Sequence, residues 1–347
     1  MLAAVYHGPN DLRVEDVPIP EIQPGEVLMK VNSASICGTD LRILHGGHRK
    51  YPTGTIRIPG HEMAGIVAKV GQGVAGIEPG QRMFVAPNMG CGHCRECISG
   101  NNNLCAIYDA IGITMDGAFA EYVRIPAAAV RQGNLMPIAD KVDPAVAALL
   151  EPFACVLRGQ RPLNVRPGDV VLVMGAGPIG IMHTKLARLK GAKCVIVSEP
   201  NLERAALATQ MGADRVVVPA EEDLDIVVKA ESGGRGADVV VVAAPVHAAQ
   251  EQALLLAGIG GRINFFGGLP KDRPSIQFDS NLVHYKELLV TATTACSTND
   301  CLRAVEIVNS GRVELADLVS SRFPLAQAAA AFSAAQDRKT LKVVLEP

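Results

Sequence analysis

The 347-residue sequence predicts an α/β protein in two parts. One is a β domain of short antiparallel strands or a barrel, and the other is a doubly wound parallel sheet. Three observations carry this reading. The first half is rich in Gly and Pro and holds short β-type runs. From residue 169 onward, apolar runs alternate with helical stretches. A Gly-x-Gly-x-x-Gly motif follows the first of those runs.

In the first half, residues 26–31 (EVLMKV), 64–70 (AGIVAKV) and 82–86 (RMFVA) read as strands between turn residues. The pattern changes near residue 150. Unbroken, largely β-branched runs at 170–174, 194–198, 216–218, 238–243, 262–266 and 288–292 read as buried parallel strands. Intervening segments such as 202–211 (LERAALATQM) and 247–257 have helical composition. The tail adds an Ala-rich helix at 325–335 and a last strand at 341–345. There is no internal repeat and no low-complexity linker.

Composition narrows the function. Apolar residues make up 48% and charged residues 20% of the chain, a globular balance. The net charge of −2 gives no case for nucleic acid as partner, because phosphate binding needs clustered Lys and Arg. No apolar run reaches the roughly 18 residues that a membrane span needs. The opening, MLAAVYHGPNDL, lacks the basic start and apolar stretch of a secretion signal. Nine cysteines then favour metal or thiol chemistry over a disulfide framework, and the expected location is the cytoplasm.

The glycine motif is Gly175-Ala176-Gly177-Pro178-Ile179-Gly180, after a buried strand and before a helix at 181–190. Its glycines permit a tight turn and let the backbone approach a pyrophosphate at the helix N-terminus. Glu199 ends the second strand, 19 residues beyond Gly180. A carboxylate there accepts hydrogen bonds from the adenosine ribose and repels a 2′-phosphate, so NAD is expected over NADP. Arg204, five residues on, is a further coenzyme candidate. The bland alternative is a plain Gly turn with a solvated Glu.

Cys91, Cys94, Cys97 and Cys105 form C-x2-C-x2-C-x7-C in a loop rich in Gly and Asn. Four thiolates in one short loop suit a closed tetrahedral zinc whose role is structural. Disulfides or an iron–sulfur cluster are the alternatives. Three separate segments supply a second donor set: Cys37 with Thr39 and Asp40, His61 with Glu62, and Glu151. Cys37, His61 and Glu151 would leave a catalytic zinc one open position. Glu62 is either a ligand itself or a nearby carboxylate that moves the metal during turnover. Taken singly, each of these residues reads more readily as a core Cys, a turn His or a helix-start Glu.

The combination of Cys37-Gly38-Thr39-Asp40, Gly60-His61-Glu62, the four-cysteine lobe, Glu151-Pro152 and Gly175–Gly180, in that order, resembles the zinc-containing medium-chain dehydrogenase/reductase family over essentially the whole chain. The resemblance implies a GroES-like β domain at residues 1–152, completed by 293–347, and an NAD-binding Rossmann domain at 153–292. It places the active site between them. It implies two zinc ions per chain, with Cys37 and His61 as catalytic ligands and Glu151 in the third position. A Glu there resembles sorbitol and other polyol dehydrogenases. Thr39 would hydrogen-bond the substrate oxygen, and Lys342 would reach the NAD pyrophosphate.

The implied reaction moves hydride between NAD and a secondary alcohol of a polyol or sugar derivative. L-Threonine 3-dehydrogenase activity and oxidation of an anionic sugar acid or polyol phosphate are the alternatives. Many family members carry His five residues after the first ligand, as a proton relay. This chain has Arg42 there, which does not deprotonate in the working range, so His45 and His48 become the relay candidates. Arg42, His45, His48, Arg49 and Lys50 also make a basic rim around Gly46-Gly47. That rim is either an anion site, a solvated loop, or a local pairing of Arg42 with Asp40. A homodimer or homotetramer is implied too, with 262–266 and 288–292 as candidate interface strands.

Overall fold

The computed structural model describes residues 1–337 and 339–347. They form two units, Met1–Ala154 with Ala295–Pro347, and Cys155–Thr294.

The first unit opens with a hairpin, Leu2–Gly8 against Asp11–Asp16. Its turn holds Asn10 at φ +60°, a left-handed conformation that Asn tolerates better than most residues. A seven-stranded sheet follows. Its order is Val319–Pro324, Lys342–Glu346, Val27–Ser35, Glu62–Val70, Arg82–Val85 and Leu135–Pro137, with Tyr122–Ile125 also paired to Val27–Ser35. The pairings are antiparallel, as expected, except one. Val319–Pro324 runs parallel to Lys342–Glu346 because the helix Ala328–Gln336 lies between them and returns the chain in the same direction. The tail helix expected at 325–335 begins as a 3₁₀ turn, Leu325–Gln327.

Alternating side chains of these strands build one core, including Val27, Met29, Val31, Val67 and Met83. Phe119 packs edge-on to Phe332 with ring centres 5.6 Å apart. Each such buried side chain contributes about 1.5–3 kcal/mol. The core also fixes a loop. Gly60 sits at φ +100°, and a Cβ on it would lie 2.8 Å from the Phe119 ring. Only glycine lets the chain pass there and deliver His61 to the head of the strand Glu62–Val70.

The second unit is a six-stranded sheet, parallel throughout. Its order is Arg215–Val217, Cys194–Ser198, Val170–Met174, Ala237–Val242, Ala257–Phe265 and Leu289–Ala292. Numbered along the chain this is 3-2-1-4-5-6, the order of a dinucleotide-binding Rossmann sheet. The strand expected at 262–266 is longer, because the helix His247–Leu256 gives way directly to strand at Ala257. It is also internal, paired on both sides. Of the two strands expected at an interface, only Leu289–Ala292 is an edge. Among the described residues no helix is long and apolar enough to cross a membrane.

Candidate active site

Cys37 follows the strand Val27–Ser35 and caps the helix Gly38–Leu44. His61 precedes the neighbouring strand, and Glu62 is that strand's first residue. The pairing of Ser35 with Glu62 brings the two segments side by side. A sulfur, a ring nitrogen and a carboxylate oxygen from Cys37, His61 and Glu62 thereby lie within 4.8 Å of one another.

Asp40 completes the arrangement. Its Oδ2 accepts the backbone N–H of Cys37 at 2.9 Å, and its Oδ1 lies 3.3 Å from His61 Nδ1. The expected alternative of an Arg42–Asp40 pair is replaced by this contact. Residues two apart on a helix point different ways, so Asp40 is buried while Arg42 is exposed. A carboxylate behind a histidine can orient the ring and leave Nε2 to bind; here the two atoms face each other as a close charge contact, short of hydrogen-bond geometry. Burial alone favours a neutral His61, but the Asp40 carboxylate and the Cys37 sulfur outweigh it and hold the ring well above its ordinary value.

Glu62 is fully buried. Its Oε2 accepts from Lys342 Nζ at 2.5 Å, while its Oε1 has no hydrogen-bond partner. Lys342 Nζ also donates to the carbonyl of Ile36 at 3.2 Å. Burial opposes the ammonium, but Glu62, Cys37 and Glu151 keep its pKa above the ordinary value. The residue expected at a pyrophosphate is thus buried beside the cysteine–histidine cluster, with its charge already paired.

Glu151 sits on the helix Leu150–Gln160, and its Oε1 accepts from Cys296 Sγ at 3.5 Å. It lies outside the Cys37–His61–Glu62 cluster and groups instead with Cys296. Thr39 is half-buried on the first turn of Gly38–Leu44. His45 ends that helix, exposed, with Nδ1 2.8 Å from Asn10 Oδ1. His48 is half-buried; its Nδ1 accepts from Lys50 N at 3.3 Å. Neither histidine belongs to the cluster.

The cysteines of the lobe also converge. Cys91, Cys94, Cys97 and Cys105 lie within 4.8 Å of one another and none forms a disulfide. Backbone N–H groups point at the sulfurs, Cys94 N to Cys91 Sγ at 3.3 Å and Cys91 N to Cys105 Sγ at 3.4 Å. The N–H groups of His93 and Cys94 draw Cys91 down to about 6, while burial pushes Cys97 up to about 12. Four thiols this close do not all ionise by themselves, and a divalent cation at their centre removes that conflict. A Cβ on Gly90 would strike Cys97 Sγ at 2.3 Å, so the loop is shaped around the sulfurs.

In the second unit the glycine turn joins Val170–Met174 to the helix Pro178–Leu189, with Gly177 as cap and Pro178 in the first turn. Gly175 has φ +108°, and a Cβ on Gly180 would lie 1.8 Å from the Gly175 carbonyl oxygen. Glu199 is buried and holds this turn directly: Oε2 accepts from Ala176 N at 2.7 Å and Oε1 from Asn201 N at 2.9 Å. Each oxygen retains a second lone pair for a ribose hydroxyl. Arg204 Nη1 lies 3.8 Å from where a Cβ on Gly177 would be, so its guanidinium borders the same turn.

Comparison with known proteins agrees with this geometry. Residues 23–137 match the alcohol dehydrogenase GroES-like domain, and residues 178–310 match the zinc-binding dehydrogenase domain. An L-threonine 3-dehydrogenase of Bacillus subtilis (strain 168) is 34% identical, over 96% of this chain and 94% of the relative. A sorbitol dehydrogenase of the same strain is 32% identical, over 100% of this chain and 97% of the relative. A crystal structure from Sinorhizobium meliloti 1021, described as a zinc-binding dehydrogenase bound to NADP, superposes with a TM-score of 0.91. It is 34% identical and covers 100% of this chain and 99% of that one. The chain belongs to the zinc-containing medium-chain alcohol dehydrogenase family and is an oxidoreductase.

Proposed function

We propose that this dehydrogenase oxidises a secondary alcohol of a polyol or sugar derivative, with NAD as hydride acceptor. The observation that carries the reading is the convergence of half-buried Cys37 with buried His61 and Glu62, with Asp40 behind His61. Cys37 and His61 are assigned to a catalytic zinc, with Glu62 and Glu151 sharing the remaining protein position. The unpartnered Glu62 Oε1 and the sulfur, nitrogen and oxygen donors gathered there fit that group. The four cysteines are assigned to a second, structural zinc. When bound, the catalytic zinc supplies Lewis-acid polarisation of the alcohol oxygen, and the dinucleotide supplies the hydride acceptor.

The chain's own residues do the rest. Asp40 holds His61 in one orientation. Lys342 balances the Glu62 charge beside the cluster, and with its ammonium spent there it is not assigned to a coenzyme phosphate. Thr39 hydrogen-bonds the substrate hydroxyl and accepts its proton into a chain that leaves by water, His45 or His48. Arg42 holds its charge and takes no part in that transfer. Gly175, Gly177, Pro178, Ile179 and Gly180 cradle the pyrophosphate, with Glu199 at the adenosine ribose and Arg204 beside it. The NADP-bound relative makes coenzyme competition an informative measurement for this site.

A second reading, oxidation of L-threonine at its secondary alcohol, is favoured by the threonine dehydrogenase likeness. The test is NAD reduction across neutral polyols, their aldonates and phosphates, and L-threonine. Neutral polyols are expected to give the highest kcat/KM, and L-threonine as the best substrate overturns the first reading. An aldonate or phosphate winning, with the advantage lost in Arg42→Ala and Arg49→Ala, makes the basic rim an anion site. Elemental analysis is expected to find two zinc ions per chain, and His61→Ala to retain one while losing activity. The working location is taken as cytoplasmic and the assembly as a homodimer or homotetramer.

A further inference from the structure

Within the first unit, a chain of buried polar contacts joins the four-cysteine lobe to Glu151, and the two metal assignments do not account for it. It begins at Asn102, three residues before Cys105. Asn102 Nδ2 donates to the Asn88 carbonyl at 2.9 Å and to Thr298 Oγ1 at 3.1 Å, and its Oδ1 accepts from Thr298 N at 2.9 Å. Asn134 Nδ2 donates to the same Asn88 carbonyl at 2.8 Å. Asn88 Nδ2 then donates to the Cys296 carbonyl at 3.0 Å, and Cys296 Sγ donates to Glu151 Oε1 at 3.5 Å. Asn88, Asn102, Asn134, Cys296 and Glu151 are all more than nine-tenths buried.

Burying three amides costs free energy unless each is well bonded. A run of apolar side chains would fill the same space, so this network contributes geometry. It grips the start of the helix Thr298–Ser310, capped by Ser297, and holds Cys296 just ahead of that cap. With its carbonyl held by Asn88, Cys296 presents its thiol to one Glu151 oxygen and limits how that carboxylate turns.

We propose that Cys296 is a positioning residue for Glu151, and that the Asn88–Asn102 bridge makes its placement depend on the lobe. This rests on Glu151 serving the catalytic metal. Partners behind a metal ligand typically set about 10- to 100-fold in metal affinity.

The experiment follows chelator-driven zinc release from the full-length zinc-loaded protein, with thermal midpoints measured alongside. His61→Ala protein reports the lobe metal alone. Cys296→Ala is expected to weaken retention of the catalytic zinc by about 10- to 100-fold, and Cys296→Ser, which keeps a donor, to restore most of it. Asn102→Ala, and Asn88→Ser as the milder change, are expected to shift retention the same way while the lobe metal stays bound.

If Glu151→Ala releases zinc quickly but Cys296→Ala does not, the positioning role is overturned and the zinc reading stands. If Glu151→Ala also retains its zinc, the reading of Glu151 itself fails. Cys296→Ser as defective as Cys296→Ala overturns hydrogen-bond donation as the mechanism. Unchanged retention in both Asn variants overturns the coupling to the lobe.

Discussion

Glu199 shows how one carboxylate serves both fold and coenzyme choice. Its oxygens already accept from Ala176 N and Asn201 N, so the acid helps shape the glycine turn before any ribose arrives. Hydrogen bonds to a charged group are each worth about 1.5–3 kcal/mol. Glu199→Ala should therefore reduce kcat/KM for NAD by about 10- to 100-fold. NADP should lose much less, because the same change removes the repulsion of its 2′-phosphate. Steady-state kinetics with both coenzymes checks this; a parallel loss with NAD and NADP would mean that Glu199 acts only on the turn. Asp40 makes a complementary case. Its contact with His61 spans 21 positions and becomes visible only once two loops are folded together. Asp40→Asn keeps the Cys37 N–H acceptor but removes the charge. It is expected to lower zinc affinity or kcat by about 10- to 100-fold with the fold retained, read by metal titration and turnover.

At the scale of single elements, the strand–turn–helix at Gly175–Gly180 was the most legible feature, and the reason is steric. Gly180 has no room for a side chain, since a Cβ would lie 1.8 Å from the Gly175 carbonyl oxygen. Gly180→Ala must push the helix Pro178–Leu189 away from its turn. Overpacking of this kind costs about 1–3 kcal/mol, which as lost coenzyme affinity is about 5- to 150-fold. Fluorescence titration with NADH measures it, and unaltered binding would remove the turn from the coenzyme site. The four cysteines were equally legible because their spacing is local. What stayed hidden is what long-range pairing creates. Lys342 meets Glu62 across 280 positions, and Cys296 meets Glu151 across 145. The parallel strand pair of Val319–Pro324 with Lys342–Glu346 was hidden too, because no periodicity reveals which strands become neighbours. A direct signal for Asp40 was present, since it stands three residues after Cys37 where a capping carboxylate belongs.

For the whole molecule, the second unit's sheet ends on an unpaired strand. Leu289–Ala292 pairs with Ala257–Phe265 on one side and has no strand on the other among the described residues. An exposed edge invites pairing unless charge or Pro protects it, and this one reads Leu-Val-Thr-Ala. Large apolar groups are exposed in the same unit: Leu289 is 48% exposed, Tyr285 77% and Ile259 85%. Ile259 and Leu289 lie on the two outermost strands at this end of the sheet. Two copies related by a two-fold axis can join such edges and cover those side chains with the same patch on each partner. Light scattering is therefore expected to give a dimer or tetramer. Leu289→Lys with Ile259→Lys should shift the mass downward, because the two-fold axis would bring like charges together in an apolar contact. Circular dichroism and the thermal midpoint separate that outcome from simple unfolding. A monomeric wild type, or an unchanged mass in the double variant, would exclude this edge as the interface.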